Sequence, residues 1–420
     1  MDEFKLTADQ ERCLREQTIT AEQPGTVLHD FRVLLDFLGN EGVEAAGKYN
    51  LLPIKIIGEL DSRLRRPLRL ELTMKRPQIR SHPHLHGLNL LLRASGLSRV
   101  EGVGGKARLV LDPAMMVQWD RLNPTEQYFN LLEAGLLQGR PEMVGERESL
   151  FGEMLGDCLA TWQHIPTEGR RFDIKKPQDV YLYGIRRDFY KLALMDLFGL
   201  VGVKHPPRPP VPWVPAGVER VAFGDAVFTL LASRFRPGWG EALEQDVGED
   251  EDEEGPDESL FGAWQPLFQP YFPEWRENLE SPEPEPREGT FIFRVSLGKG
   301  VWRRIAMPAG KSLETLASWI LRSVSFDSDH LYEFVCRNQQ GATVRIVHPA
   351  MDEGPWTDQV TIGELPLEPG QSMVFHFDFG DDWRFDVELE RIEPPGAKMK
   401  APAIVEKHGK SPTQYPNSDW

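Results

Sequence analysis

Residues that could carry chemistry gather in three places along this chain. The first is Phe377-Asp-Phe-Gly-Asp-Asp-Trp383, with His330 and the pair Arg303-Arg304 upstream. Asp378, Asp381, Asp382 and His330 could act as acid-base groups or hold a divalent ion. The same residues could instead be structural. Gly380-Asp381 suits a hairpin turn, and Asp carboxylates there bond backbone N–H groups or pair with arginine. Alternation puts Phe375, Phe377 and Phe379 on one strand face and His376 and Asp378 on the other. An Asp on the polar face needs no catalytic role. Asp378, Asp382 and His330 are thus the catalytic candidates. Trp302, Arg303, Arg304, Asp378, Asp381, Asp382 and Trp383 are the binding candidates, with the two tryptophans as packing anchors.

The second place is basic: Arg63, Arg65, Arg66, Arg69, Lys75, Arg76 and Arg80. Such a run could contact nucleic-acid phosphates. The third is Ser81-His-Pro-His-Leu-His86. Three alternating imidazoles on one side of an extended segment could share a metal. No Cys, Asp or Glu lies close enough in sequence to complete a shell. The segment is read as a polar lead into the next helix, and no metal or cofactor is assigned.

The elements that must position these residues follow from periodicity. Val27–Leu38 has Val27, Phe31, Leu34, Leu35 and Leu38 on one helical face, and Ile54–Leu64 and His84–Ala94 have helical spacing. Leu97–Glu101 and Ala107–Leu111 read as a strand pair across Gly102-Val-Gly-Gly105, followed by helices Pro113–Trp119 and Pro124–Leu136. This order resembles a winged helix, in which the third helix would enter the major groove. His84–Ala94 is mostly Leu, a poor base-reading face, so a protein-docking role competes with DNA contact. Leu150–Gln163, Tyr181–Val201 and a helix within Val218–Phe235 read as a helical extension. The Pro-rich stretch 205–215 reads as a rigid strap over its own domain.

Near the other end, Phe291–Leu297 and Val301–Met307 alternate as strands. Ser312–Ser323 is a helix with Ser312 as N-cap and Leu313, Leu316, Ile320 and Leu321 on its apolar face. His330–Cys336 and Thr343–Val347 are strands, and Met373–Phe379 and Trp383–Ile392 close a hairpin. The predicted class is α+β.

Val301-Trp-Arg-Arg-Ile305, Asp329-His-Leu-Tyr-Glu-Phe334 and Phe377-Asp-Phe-Gly-Asp-Asp-Trp383 resemble, in type, order and spacing, the plasmid pRiA-type Orf-three-like domain family. The resemblance implies a compact α+β roll over about 115 residues, and a plasmid or mobile-element setting. It implies little about activity. Phe385 stands where many members carry His, and the Cys- and acid-rich ending of many members is missing.

Charge divides the chain. The formal net charge is -17, yet residues 244–290 hold 16 acidic and two basic residues, whereas 61–110 hold 11 basic and three acidic. The run Glu249–Glu254 repels itself and buries nothing, so it reads as a solvated spacer. The expected order is a winged-helix-like domain (1–145), a helical extension (146–240), an acidic, Pro-rich disordered linker (241–289), the α+β domain (290–405) and a tail (406–420). Three scattered cysteines and the lack of an apolar leader fit a cytoplasmic protein. No apolar run is long enough to cross a bilayer, so no membrane partner is expected. No phosphate loop, HExxH, GxSxG or Rossmann glycine pattern is present. The sequence therefore reads as a non-enzymatic modular binding protein that meets a protein or a nucleic acid. The alternative is a metal-dependent hydrolase or nuclease built on Asp378, Asp381, Asp382 and His330.

Overall fold

A computed structural model describes residues 5–69, 78–102, 107–147, 154–173, 189–207, 213–234, 261–282, 285–298, 300–395 and 401–415. The chain forms two compact units, Met1–Ser281 and Pro282–Trp420.

The first unit opens with α1 (Ala8–Glu16), α2 (Val27–Leu38), β1 (Val43–Glu44), α3 (Ile54–Arg63) and α4 (Pro83–Ala94). Strands β2 (Ser98–Glu101) and β3 (Arg108–Leu111) follow, and the small antiparallel sheet has the order β1-β3-β2. Then come α5 (Pro113–Trp119) and α6 (Pro124–Glu133), which runs into a π turn at Ala134–Gln138. Asn123 caps α6 by accepting the N–H groups of Thr125 and Glu126, while Glu126 reaches back to the Asn123 N–H.

Helix α4 decides how this unit is built. All its residues from Pro83 to Ala94 are buried. It is covered in part by α8 (Phe189–Leu197), which follows α7 (Met154–His164) and β4 (Arg170–Arg171). Gly87 permits the close approach, since a Cβ there would meet Leu194 Cγ at 2.9 Å. The expected groove-reading helix is therefore a core helix. Its polar groups turn inward: Arg93 donates to the carbonyls of Tyr49 and Asn50.

A second small sheet, order β4-β6-β5, uses β5 (Val201–Lys204) and β6 (Gly217–Arg220), and α9 (Ala222–Ala232) follows. The expected helix within Val218–Phe235 is α9, which the strand β6 leads into. The expected helix Tyr181–Val201 is helical at 189–197, and 181–188 lie outside the described residues. Most of the Pro-rich centre, 208–212, also lies outside them, while Trp213 and Val214 are buried.

The expected spacer 241–289 is corrected by the fold. The acidic run falls within 235–260, outside the described residues, but 261–280 is packed on the first unit. The cause is a stripe on α6. Glu126, Asn130 and Glu133 recur at helical spacing and are all buried. Glu133 accepts N–H from Gly262 at 2.7 Å and Trp264 at 2.6 Å. Glu126 accepts from Arg276 and Glu277, and Asn130 from Leu279. Between these anchors Phe129 stacks on Trp275 with ring centroids 4.4 Å apart and also meets Phe268 and Phe272. A run of acids in the sequence hid this apolar set.

The second unit is a seven-stranded antiparallel sheet with one helix on it. Its strands are β7 (Thr290–Leu297), β8 (Val301–Pro308), β9 (Tyr332–Arg337), β10 (Thr343–Val347), β11 (Ser372–Phe377), β12 (Trp383–Glu393) and β13 (Ala403–His408). Their spatial order is β10-β9-β11-β12-β7-β8-β13. The helix α10 (Leu313–Val324) is capped by Ser312, which accepts the Thr315 N–H. It lays Leu313, Leu316, Ile320 and Leu321 against Phe293, Ile305, Phe334, Phe375, Phe385 and Val387. The protein is α+β, and its C-terminal unit has the expected strand and helix order. The tail boundary at 406 is corrected: β13 extends to His408 as an edge strand, and Gln414 is buried against Asp327.

Two stability measurements test the docked segment. Trp275→Ala removes the stacked anchor and should cost about 3–5 kcal/mol in urea unfolding of the first unit. Burial pushes the Glu133 carboxyl from its ordinary 4.5 up to about 7, with the N–H groups of Gly262 and Trp264 pulling it back. The folded chain then holds this proton more tightly than the unfolded chain. The contribution is fully present below pH 4.5 and is lost as pH rises through about 7. Wild type should thus lose stability relative to Glu133→Gln between about pH 5 and about pH 8.

Candidate functional site

The turn joining β11 to β12 gathers the C-terminal candidates. Phe375 and Phe377 enter the core, and the strand ends there. Asp378 takes a left-handed conformation, φ 55°, as does Asp382 at 53°. Asp is among the few residues besides Gly that tolerate this region. The reversal throws Phe379 outward, so it is 45% exposed, not on the apolar face with Phe375 and Phe377. Asp378 leaves the polar strand face for the same reason.

Asp378 is buried, and its Oδ1 accepts the N–H groups of Gly380 at 3.0 Å and Asp381 at 3.2 Å. Its own N–H donates to the Leu331 carbonyl. Its Oδ2 lies 3.6 Å from His330 Nε2. The other ring nitrogen of His330 meets Asp329 Oδ1 at 2.8 Å, with the Tyr415 hydroxyl 3.4 Å away. The hydrogen bond to Asp329 pushes the imidazole's pKa above its usual value. The two nitrogens thus face different acids rather than one shared point.

Asp382 belongs to a second group. Its Oδ1 accepts from Arg384 Nε at 2.8 Å, and that bond holds its carboxyl below the usual range. His376 Nε2 approaches the same oxygen at 2.8 Å without hydrogen-bond alignment, so the contact is an ion pair only when His376 is protonated. His376 Nδ1 meets Glu333 Oε1 at 3.3 Å, and Glu333 Oε2 takes Arg345 at 2.9 Å. A charged row Arg345–Glu333–His376–Asp382–Arg384 therefore crosses four strands. Its register follows from His376 standing opposite Glu333 on β9 and Arg384 on β12. Sequence reasoning missed Glu333, Arg345 and Arg384, because strand pairing alone puts them together.

The arginines divide. Arg303 is buried and donates to the carbonyls of Ser323, Trp302 and His408 and to Ser411 Oγ. Burial lowers its pKa. Arg304 forks onto Glu390 at 2.6 and 2.8 Å and also pairs with Glu406. Trp302 lies beside Arg294, Arg304 and the His408 ring. Trp383 meets Phe326 edge-on at 4.8 Å. Phe385 points into the core. Neither Arg303 nor Arg304 reaches the Asp378 turn.

In the first unit the basic candidates are scattered among acids. Arg63 pairs with Glu59 and Arg65 with Glu22. Arg66 lies 3.6 Å from Asp196 and Arg80 3.3 Å from Glu146. Arg69 is exposed, and its N–H donates to Asp61. Lys75 and Arg76 lie outside the described residues.

The three imidazoles of 81–86 are not on one side of an extended segment. Pro83 starts α4, and a helical twist sends each ring elsewhere. His82 faces Asp61 at 3.9 Å, His84 faces Asp196 at 3.1 Å and His86 faces Glu146 at 3.0 Å. The acids absent from the local sequence arrive from distant elements. Of these, Asp196 also faces His205, and the ligand atoms of His84, Asp196 and His205 lie within 4.8 Å of one another.

With this geometry in view, residues 291–414 match a family model, Plasmid pRiA4b ORF-3-like protein. The match falls within the C-terminal unit. The crystal structure of a protein of unknown function from Methanosarcina mazei Go1 is similar at 24% identity, over 29% of this chain and 70% of that chain, with a TM-score of 0.26. No curated protein matches the chain. Among the described residues, no helix is long and apolar enough to cross a membrane.

Asp378→Ala should destabilise the C-terminal unit by about 1–3 kcal/mol, since it orphans two N–H groups and puts Ala at positive φ. Asp378→Asn, which keeps an acceptor and tolerates that φ, should cost less than half as much in the same thermal melt.

Proposed function

We propose that this is a modular binding protein whose C-terminal unit docks a protein partner through the 378–382 turn. One observation carries this reading. Leu331 is 41% and Phe379 45% exposed, and the Asp378 N–H bonded to the Leu331 carbonyl ties the two backbone segments together. Asp329, Asp381 and Asp382, all exposed, lie two or three residues from them in the sequence. An apolar knob near exposed acids suits a partner segment that offers an apolar side chain beside Lys or Arg. The family description supports placing the chain in a plasmid or mobile-element setting.

The nucleic-acid reading has less support. The order α2-β1-α3-α4-β2-β3 agrees with a winged-helix-like start, but α4, which would read a groove, is buried along its length. Four arginines of the basic set have acidic neighbours. The hydrolase reading has less support still. Asp378 Oδ1 is occupied by two N–H groups and Asp382 Oδ1 by Arg384, and among the described residues no three ligand atoms of this turn converge on one point.

The test is selection of a displayed peptide library on the full chain. It should enrich basic peptides with an apolar centre. Their affinity should fall at least tenfold with Phe379→Ser or Leu331→Ser and weaken with salt. No enrichment, or binding indifferent to Phe379, contradicts the reading. So does a mobility shift of duplex DNA that neutralising Arg63, Arg65, Arg66 and Arg69 abolishes.

A further inference from the structure

Asp196 sits near the end of α8, and His205 directly follows β5, so one turn and one strand bring them to the same place. His84 comes from the first turn of α4, far away in sequence. Asp196 Oδ1 accepts the Val203 N–H at 3.1 Å, which fixes the carboxylate plane. Its other oxygen, Oδ2, then faces His84 Nε2 at 3.1 Å and His205 Nε2 at 3.9 Å. Both ring nitrogens of His205 are shielded from water and have no hydrogen-bond partner, although the side chain is 22% exposed. Burying such nitrogens unpaired costs free energy, and a metal ion that takes the Nε2 lone pair removes part of that cost. Trp213 stands over both rings, at 6.1 Å from His84 and 5.7 Å from His205.

We infer that His84 Nε2, His205 Nε2 and Asp196 Oδ2 form a three-ligand site for a divalent first-row transition metal. Imidazole and carboxylate donors are the set such ions take, and zinc places its ligands at about 2.0–2.2 Å in a tetrahedron. Donor atoms around zinc then lie roughly 3.4 Å apart, and the three ligand atoms, all within 4.8 Å of one another, must draw together to reach that spacing. Two nitrogens and one oxygen leave a fourth position for water or another ligand, on the partly exposed His205 side. Arg66 neighbours Asp196 Oδ1, not the oxygen facing the imidazoles, and its side chain is 57% exposed, free to swing into solvent.

The test loads the chelator-stripped full chain with Zn²⁺ and measures bound metal after dialysis. Co²⁺ in the same position should give the visible absorption of a four-coordinate ion. One equivalent should bind and raise the melting temperature. His205→Ala should lose that equivalent and the shift while leaving the His84–Asp196 pair and the fold intact by circular dichroism. Asp196→Asn should lose it too, and His205→Ala decides if that variant folds poorly. Asp382→Asn should keep the equivalent, because the C-terminal turn lies outside the site. Wild type that retains no Zn²⁺, or His205→Ala that retains it fully, overturns the inference.

Discussion

A carboxylate withdrawn from water must find donors or give up its charge. That constraint shapes both units. In the first, Glu126 and Glu133 meet it by catching backbone N–H groups of 262–277, and so fasten a stretch that would otherwise trail in solvent. Asp61 meets it with the N–H groups of Leu68 and Arg69. In the second, Asp378 meets it inside its own turn. Acids that look chemical in the sequence are mostly committed to the chain itself.

The two units use their polar groups differently. The first buries a whole helix and turns its histidines inward, each toward an acid from another element. The second buries Arg303, which donates to the Ser323 carbonyl of α10, and lines up Arg345, Glu333, His376 and Arg384 by pairing across strands. The turn's left-handed residues force Phe379 out of the core. The same geometry that satisfies Asp378 thus exposes the apolar knob.

Much of the C-terminal unit was legible, because period-two alternation, a Ser N-cap and a Gly-Asp turn are local signals. What failed there was also local in cause: the positive φ at Asp378 ended the alternation, so Phe379 and Asp378 left the faces that counting assigned them. The row through Glu333 and His376 depends on strand register, which pairs residues tens of positions apart. In the first unit α4 was legible as a helix, yet its burial depends on α8, more than a hundred residues later. The docking of 261–280 was hidden because acidic composition masked Trp264, Phe268, Phe272 and Trp275. Asp196 stands within an apolar stretch of sequence, and its meeting with His84 and His205 is tertiary.

The central claim is that the Asp378–Asp382 turn is held by its own hydrogen bonds and presents a surface, rather than gripping an ion. Anomalous diffraction from crystals of the full chain grown with Mn²⁺ tests it most directly. The account predicts no manganese peak among Asp378, Asp381, Asp382 and His330, with Asp378 Oδ1 still accepting from Gly380 and Asp381. A peak coordinated by Asp378 and Asp382, with those N–H bonds broken, would contradict it.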